Sequence, residues 1–414
     1  MFNDAPEYLA RKNTPFVPPN FTIAELRNAI PPELHKKSLA WGLWIGARSV
    51  LCVAGFWYLG TTIETVTPVI AASLRLGLTL TSLLRFALWT TYWFWQGIAF
   101  AGLWCYAHEA GHGTIADQSW INHTLGYVLQ TFTLTPYFAW RSTHRAHHKA
   151  VGSMERDENY VPAIRSELGL RPENPKEGEE SPKQQFDYHE VFEDTPLYVL
   201  GKMVIMQLLG LQMYFVANTM GSPSYPKGTN HFSPFSALFK RNERLGIFAS
   251  DVGLVFMLYL LRLYTAHVGV NTMLKMYFVP YLLSNHWIVL ITFLHHCDPT
   301  LPHYRKNEWT FVRGAIGTVD RPIMGWIGRF FFHNVSHDHV AHHLFSSIPF
   351  YNQPLVTEHL KAVLKEHYNY DTTPCFRALY RSFTECAFVE DEGDIIFYKN
   401  MKGKSVRFLA TDVE

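Results

Sequence analysis

Long apolar blocks alternate with strongly polar stretches along this chain, and several blocks have the length of membrane-crossing helices. Crossing a bilayer as helix takes about 20 mostly apolar residues. The best candidates are residues 39–60, 86–106, 245–263 and 273–294. The second carries the aromatic run WTTYWFWQ, as expected near a membrane interface. A weaker stretch, 66–84, contains Arg75. Two further blocks are interrupted by polar residues: 121–140 by His123, Gln130, Thr131, Thr133 and Thr135, and 197–218 by Lys202, Gln207 and Gln212. The pattern predicts an all-α polytopic membrane protein. Residues 1–38 are polar and proline-rich, lack the apolar core of a signal peptide, and are expected to form a cytosolic N-terminal segment. Residues 171–196, rich in Glu, Pro, Lys and Gln, read as a solvated loop. A membrane domain over 39–370 and a cytosolic tail over 371–414 complete the expected organisation.

Composition narrows the function classes. A net charge of +1 argues against a nucleic-acid partner. Five cysteines (Cys52, Cys105, Cys297, Cys375 and Cys386) form no CxxC pair, so a disulfide framework is not expected. Histidine stands out, with 21 residues, and the densest groups lie in three short motifs. The first, His108-Glu-Ala-Gly-His112, places two imidazoles on one helix face at i and i+4. His144-Arg-Ala-His147-His148 and His339-Val-Ala-His342-His343 each fan three imidazoles over about 100° of a helix. Three at one box are too many for a single ion that also takes ligands elsewhere, and they suit two adjacent metals. His295 and His296, at the end of the last apolar block, offer a fourth contribution.

A shared metal site constrains topology, because all its ligands must lie on one side of the membrane. An even number of spans must then separate any two clusters. Blocks 121–140 and 197–218 are therefore expected at the interface, leaving two helical hairpins of four spans. Imidazole suits Zn, Cu, Fe and Ni, so ligand type does not decide the metal. Eight or nine histidines exceed the four ligands of zinc, and iron is the usual choice where oxygen is activated. Two other readings compete. HEAGH matches the HExxH helix of zinc metalloproteases, with Glu109 as general base, but leaves both HxxHH boxes without a role. A histidine-rich metal transporter would place its ionisable residues within the spans rather than at their ends.

The three motifs resemble the histidine boxes of membrane fatty-acid desaturases. TPYFAWRSTHRAHH, GSMERDENYVP, FLHHCDPTLPHY and HVAHHLFSSIPFYN are similar to segments of the microsomal delta-12 (oleate) and omega-3 desaturases of plants and fungi. The resemblance implies metal ligation by His108, His112, His144, His147, His148, His296, His339, His342 and His343. His296 is preferred to His295 because it matches the family's LQHTHP-like segment. The first box lacks the final histidine of HECGHH, since Gly113 stands there, and SHDHVAHH replaces a TDTH-like sequence. His333 and Asn334 are expected to support the ligands from behind. Trp140, Phe293, Phe345 and Phe350 are expected to line an acyl tunnel, being near the boxes in sequence.

The resemblance further implies two Fe ions, O2 as co-substrate, and electrons from cytochrome b5 and its NADH-cytochrome b5 reductase. With no HPGG haem motif in the chain, the donor is expected to be a separate protein. The implied substrate is a membrane-embedded, phospholipid-linked acyl chain, and the implied location is the endoplasmic reticulum membrane, with both termini and the boxes cytosolic. A homodimer is left open. The implied reaction is delta-12 desaturation of oleoyl groups, with omega-3 or bifunctional desaturation, hydroxylation or conjugase chemistry as alternatives on the same site.

Overall fold

The computed structural model describes residues 3–172 and 195–412. Most of the polar stretch 171–196 lies outside the described residues. The first hairpin is formed by α1 (Leu39–Ser73) and α2 (Leu78–His112). Each helix has 35 residues, about 52 Å at 1.5 Å per residue, well beyond a hydrocarbon core of about 30 Å. The hairpin is therefore longer than a bilayer core is thick, and His108 and His112 lie at the C-terminal end of its second helix. Ser38 starts α1 by accepting the Trp41 amide at 3.3 Å. Arg75 adopts a left-handed conformation in the turn between the helices, so the weak stretch 66–84 is the hairpin bend. Gly113, with φ of 77°, ends α2 and lets the chain leave sharply after the first box.

The next segment dips and returns. Helix α3 (Ser119–Phe132) and helix α4 (Tyr137–Ala150) are joined by a tight turn in which Leu134 is left-handed. That turn docks on the bundle: Trp104 donates through Nε1 to Thr135 Oγ1 at 3.1 Å, and Tyr277 donates to the Phe132 carbonyl. The second box rides up on α4 to the level of the first.

Helices α5 (Pro196–Ala217) and α6 (Arg244–Val268) precede α7 (Val279–His296), which is reached through a π-helical turn at Leu274–Phe278. Helix α7 packs against α2 so closely that a Cβ on Gly97 would lie 2.7 Å from that of Leu283. Helix α5 lies along α7, with Gln212 donating to the Tyr281 hydroxyl at 2.7 Å. Its C-terminal end reaches the second box, where Tyr214 donates to Thr143 at 2.9 Å.

Among the described residues four segments are long and apolar enough to cross a membrane: Leu39–Ser73, Pro196–Ala217, Arg241–Val268 and Val270–His296. Three contain expected spans. The fourth, Pro196–Ala217, is the block expected at the interface. The expected span at 86–106 falls inside α2, whose Trp, Tyr, Thr and Gln side chains make its composition less apolar than that of the other long helices.

Past His296 the chain builds a cap. Strand β1 (Pro302–Tyr304) pairs antiparallel with β2 (Ile395–Phe397), Pro302 opposite Phe397. Helix α8 (His339–Leu344) carries the third box, backed by α9 (Gln353–Leu364), while α10 (Cys375–Glu385) packs on α5 and α7. The two end segments, expected as separate, close on each other and on this cap. The Ala5 amide donates to Thr373 Oγ1 at 2.9 Å, and Phe16 bridges to Leu409. Beneath them lies an ionic hub. Fully buried Asp298 meets Arg321 at 2.7 Å and Arg381 at 3.2 Å, and buried Asp371 meets the same arginines at 2.8 and 2.7 Å. Arg11, from the N-terminal segment, stands 3.9 and 3.8 Å from the two carboxylates.

Candidate metal centre

The four histidine-bearing segments converge at one end of the bundle. His108, His112, His144, His148 and His342 each bring a ring nitrogen to within 4.8 Å of the others, and His147, His296 and His343 form a second such group. His339 joins the second group, its Nε2 3.1 Å from that of His296. All nine histidines expected as ligands are thus brought together, divided five and four. His295 is not among them: its Nε2 faces the Ser336 carbonyl at 3.1 Å, and its ring stacks on His339 at 3.9 Å.

The nitrogen spacing fits metal ligation. His144 Nε2 lies 2.8 Å from His108 Nε2, 3.0 Å from His112 Nε2 and 3.1 Å from His148 Nε2. Two ligands at about 2.1 Å from one ion and at right angles stand about 3.0 Å apart, and opposed ligands about 4.2 Å apart. One nitrogen gathers three neighbours at the first spacing, more than a network of single N–H donors satisfies. Burial pushes the His342 imidazole down to about 3. Burial, followed by the proximity of other imidazoles, likewise holds His144, His148, His339 and His343 well below the ordinary histidine value. The rings are neutral, with lone pairs free for a cation.

Each group has a buried carboxylate behind it. Asp157 Oδ1 lies 2.6 Å from His147 Nδ1, while its other oxygen accepts the Gly152 amide at 2.8 Å. The carboxylate thereby fixes the proton on Nδ1 and turns Nε2 toward the group. Glu109 Oε1 lies 3.1 Å from His108 Nδ1 and 3.6 Å from His342 Nδ1, so one carboxylate serves the five-histidine group from two boxes. Glu109 is thus placed against His108 and His342, imidazoles of two different boxes.

The expected supporting residues lie elsewhere. His333 packs between Tyr106 and Phe350 and faces the Gly102 carbonyl at 3.1 Å, while Asn334 donates to the Phe350 carbonyl. Both have left-handed backbones in the turn before the third box, which points His333 toward α1 and α2 and Asn334 toward Arg329 and Phe350. Asp157 went unread because its contact with His147 is made by a loop, but it lies in the quoted GSMERDENYVP segment ten residues past His147.

An apolar cavity opens beside the groups. Trp140 and Phe293 line it, as expected, together with Trp104, Tyr160, Leu211 and Tyr214. Phe345 and Phe350 do not. Phe345 ends α8 and turns into a cluster with Leu26, Val312 and Leu360, and Phe350 packs on Tyr106. Sequence proximity to the third box misled because the chain reverses after only six helical residues. His108, His144, His147, His296 and His339 line the cavity as well, and three aromatic faces pack on them. Trp104 stacks on His108 (centroids 5.8 Å), Trp140 on His144 (4.6 Å) and Tyr160 on His296 (5.2 Å).

Residues 86–374 match the family model described as fatty acid desaturase. The chain is 39% identical over 382 residues to a delta(12) fatty acid desaturase of Mortierella alpina, covering 92% of this chain and 91% of that one. It is 34% identical over 394 residues to a delta(12)-fatty-acid desaturase of Arabidopsis thaliana, covering 94% of each. An oleate hydroxylase of Claviceps purpurea is 35% identical over 411 residues, covering 93% of this chain and 82% of that protein. The match spans all four histidine-bearing segments that the fold gathers at one end of its apolar helices, and the chain belongs to the fatty acid desaturase family.

Proposed function

We propose that this desaturase introduces a cis double bond at the delta-12 position of lipid-linked oleoyl groups, at two irons held by the nine converging histidines. The observation that carries the reading is the five-and-four division of imidazoles at the wall of an apolar cavity. The names of the Mortierella and Arabidopsis relatives support the position. Balanced, the reaction takes –CH2–CH2–, O2, two electrons and two protons to –CH=CH– and two waters. Bound at this site, iron supplies the activation of oxygen that removing hydrogen from an unactivated methylene demands.

The chain's own residues bind and orient. His108, His112, His144, His148 and His342 hold one ion, and His147, His296, His339 and His343 the other. Asp157 and Glu109 set the tautomers behind them. Trp104, Trp140 and Tyr160 give the acyl chain a dry aromatic wall, so that a methylene pair can rest beside the ions without admitting bulk water.

The same proximity supports the topology. His147 and His296 nearly touch, so an even number of crossings separates them. Of the three apolar helices between them, α5 is taken as the interfacial one because Lys202, Gln207 and Gln212 interrupt it. The hairpins α1–α2 and α6–α7 cross, with the boxes and both termini on the cytosolic face of the endoplasmic reticulum, where cytochrome b5 and its NADH-dependent reductase deliver electrons.

Hydroxylation is the second reading, favoured by the Claviceps relative. Expression in a yeast that makes only monounsaturated fatty acids, with mass spectrometry of total lipid, tests both. New 18:2 supports delta-12 desaturation, and new 18:3 from supplied 18:2 indicates omega-3 activity. A hydroxylated 18-carbon product indicates hydroxylation. Unchanged lipid with the protein present and iron-loaded overturns the reading.

A further inference from the structure

Tyr160 belongs to no histidine box, yet it joins three parts of the molecule. Its ring lies parallel to the His296 imidazole, at an interplanar angle of 8°. Its hydroxyl donates to Thr292 Oγ1 at 2.7 Å, one helical turn before His296 on α7. Thr292 passes its own proton to the Ile288 carbonyl at 2.9 Å, so the pair is complete and leaves Thr292 as acceptor. Both residues line the cavity.

The backbone at this point is held in a conformation that bulky residues rarely adopt. Tyr160 has φ of 59°, and in the segment that meets it Asn218 and Met220 have φ of 50° and 65°. The two segments are laced together. The Tyr160 amide donates to the Met220 carbonyl at 2.7 Å, the Ser222 amide to the Glu158 carbonyl at 3.2 Å, and the Tyr225 hydroxyl to Glu158 Oε1 at 2.7 Å. Three residues before Tyr160, Asp157 grips His147. A strained non-glycine backbone persists where its surroundings over-determine it, and such places cluster at functional sites. Here it aims one aromatic ring into the cavity against a four-histidine-group imidazole, and the Thr292 bond stops that ring from turning.

We propose that Tyr160 is a positioning residue that fixes where the acyl chain passes the four-histidine group, with Thr292 as its anchor. The inference rests on the desaturase reading. A flat, tethered ring excludes the chain from the His296 side of the cavity and so holds one methylene pair in reach. Without the tether the ring swings, the chain's path widens, and neighbouring carbons sample the same place.

The test is product distribution in the same yeast, with iron content measured on purified protein. Y160F and T292V each remove one half of the hydrogen bond and nearly preserve shape. Losing such a bond corresponds to about a 2- to 10-fold change in partition. The expected result is a rise of that size in the ratio of off-position or hydroxylated product to the main product. It should be similar in both single variants, no larger in Y160F/T292V, and accompanied by undiminished iron. A fall in total product with an unchanged ratio marks a merely structural role and overturns the proposal. A shift in only one single variant also overturns it.

A readout without turnover separates this inference from the function it rests on. Wild-type protein should bind phosphatidylcholine bearing 18-carbon chains in preference to 16-carbon chains, and both variants should narrow that preference. If wild type makes no product, the desaturase reading fails. An unaltered binding preference in the variants overturns the role of Tyr160 independently.

Discussion

His147 Nε2 and His296 Nε2 stand 3.4 Å apart although 149 residues separate them in sequence. Between them run three apolar helices and the loop that carries Asp157. If this contact marks a shared ion, H147A and H296A should each lower iron from two to about one per chain and abolish desaturation. His123, bonded instead to the Tyr137 hydroxyl at 3.1 Å, is the control, and H123Q should keep both irons. Metal analysis of the three proteins checks this. Two irons retained in H296A would remove His296 from the ligand set.

Asp157 should matter through affinity rather than through fold. D157N keeps the shape but weakens the charged partner of His147 Nδ1, and loss of such an outer partner costs about 10- to 100-fold in metal affinity. E109Q should act similarly on the five-histidine group, since Glu109 faces both His108 and His342. Iron retention during titration with a chelator reads both effects. D157N should release one iron early and E109Q the other.

The buried hub makes a separate prediction about stability. Burial alone would raise the Asp298 carboxyl, but Arg381, Arg11 and Arg321 overrule it and hold it well below the usual carboxylate range. A depressed carboxyl contributes stability that is complete above its unfolded value of about 3.9 and is lost as pH falls below that toward the folded value. Acid unfolding in detergent should therefore steepen below about pH 4. D298N, which leaves buried guanidinium charge uncompensated, should cost about 3–5 kcal/mol at neutral pH, read as a lower thermal midpoint.

Topology is open to labelling. Leu78 and Val270 are exposed at the far turns of the two hairpins, whereas Leu197 is exposed in the first turn of α5 and Ser224 follows its end. In sealed microsomes of a cysteine-free background, L197C and S224C should both react with an impermeant maleimide from the cytosolic side. L78C and V270C should react only after permeabilisation. Labelling of L197C and S224C from opposite sides would make α5 a true span and break the parity argument.

Much of this centre is legible in the sequence because its histidines repeat at helical spacings. His144, His147 and His148 declare one face of α4 by their numbers alone. What escapes is whatever loops bring. Asp157 reaches His147 by a turn with no periodic signal, and Tyr160 owes its place to a left-handed backbone that Met220 enforces. Phe345 and Phe350 show the opposite failure, since they neighbour the third box in sequence but leave it at the end of a six-residue helix. His333 and Asn334 fail likewise, through the turn that precedes it.

The closure of the two chain ends over the cap has a consequence for biogenesis. Ala5 waits for Thr373, 368 residues later, and Arg11 for Asp298 and Asp371. On a ribosome the N-terminal segment must stay undocked through nearly the whole of translation, while every histidine of the centre is already made. The hub is therefore completed only when residues 5–11 meet residues 371–373. Folding of the cap is thereby a late event, set by the meeting of a segment made early with segments made hundreds of residues later.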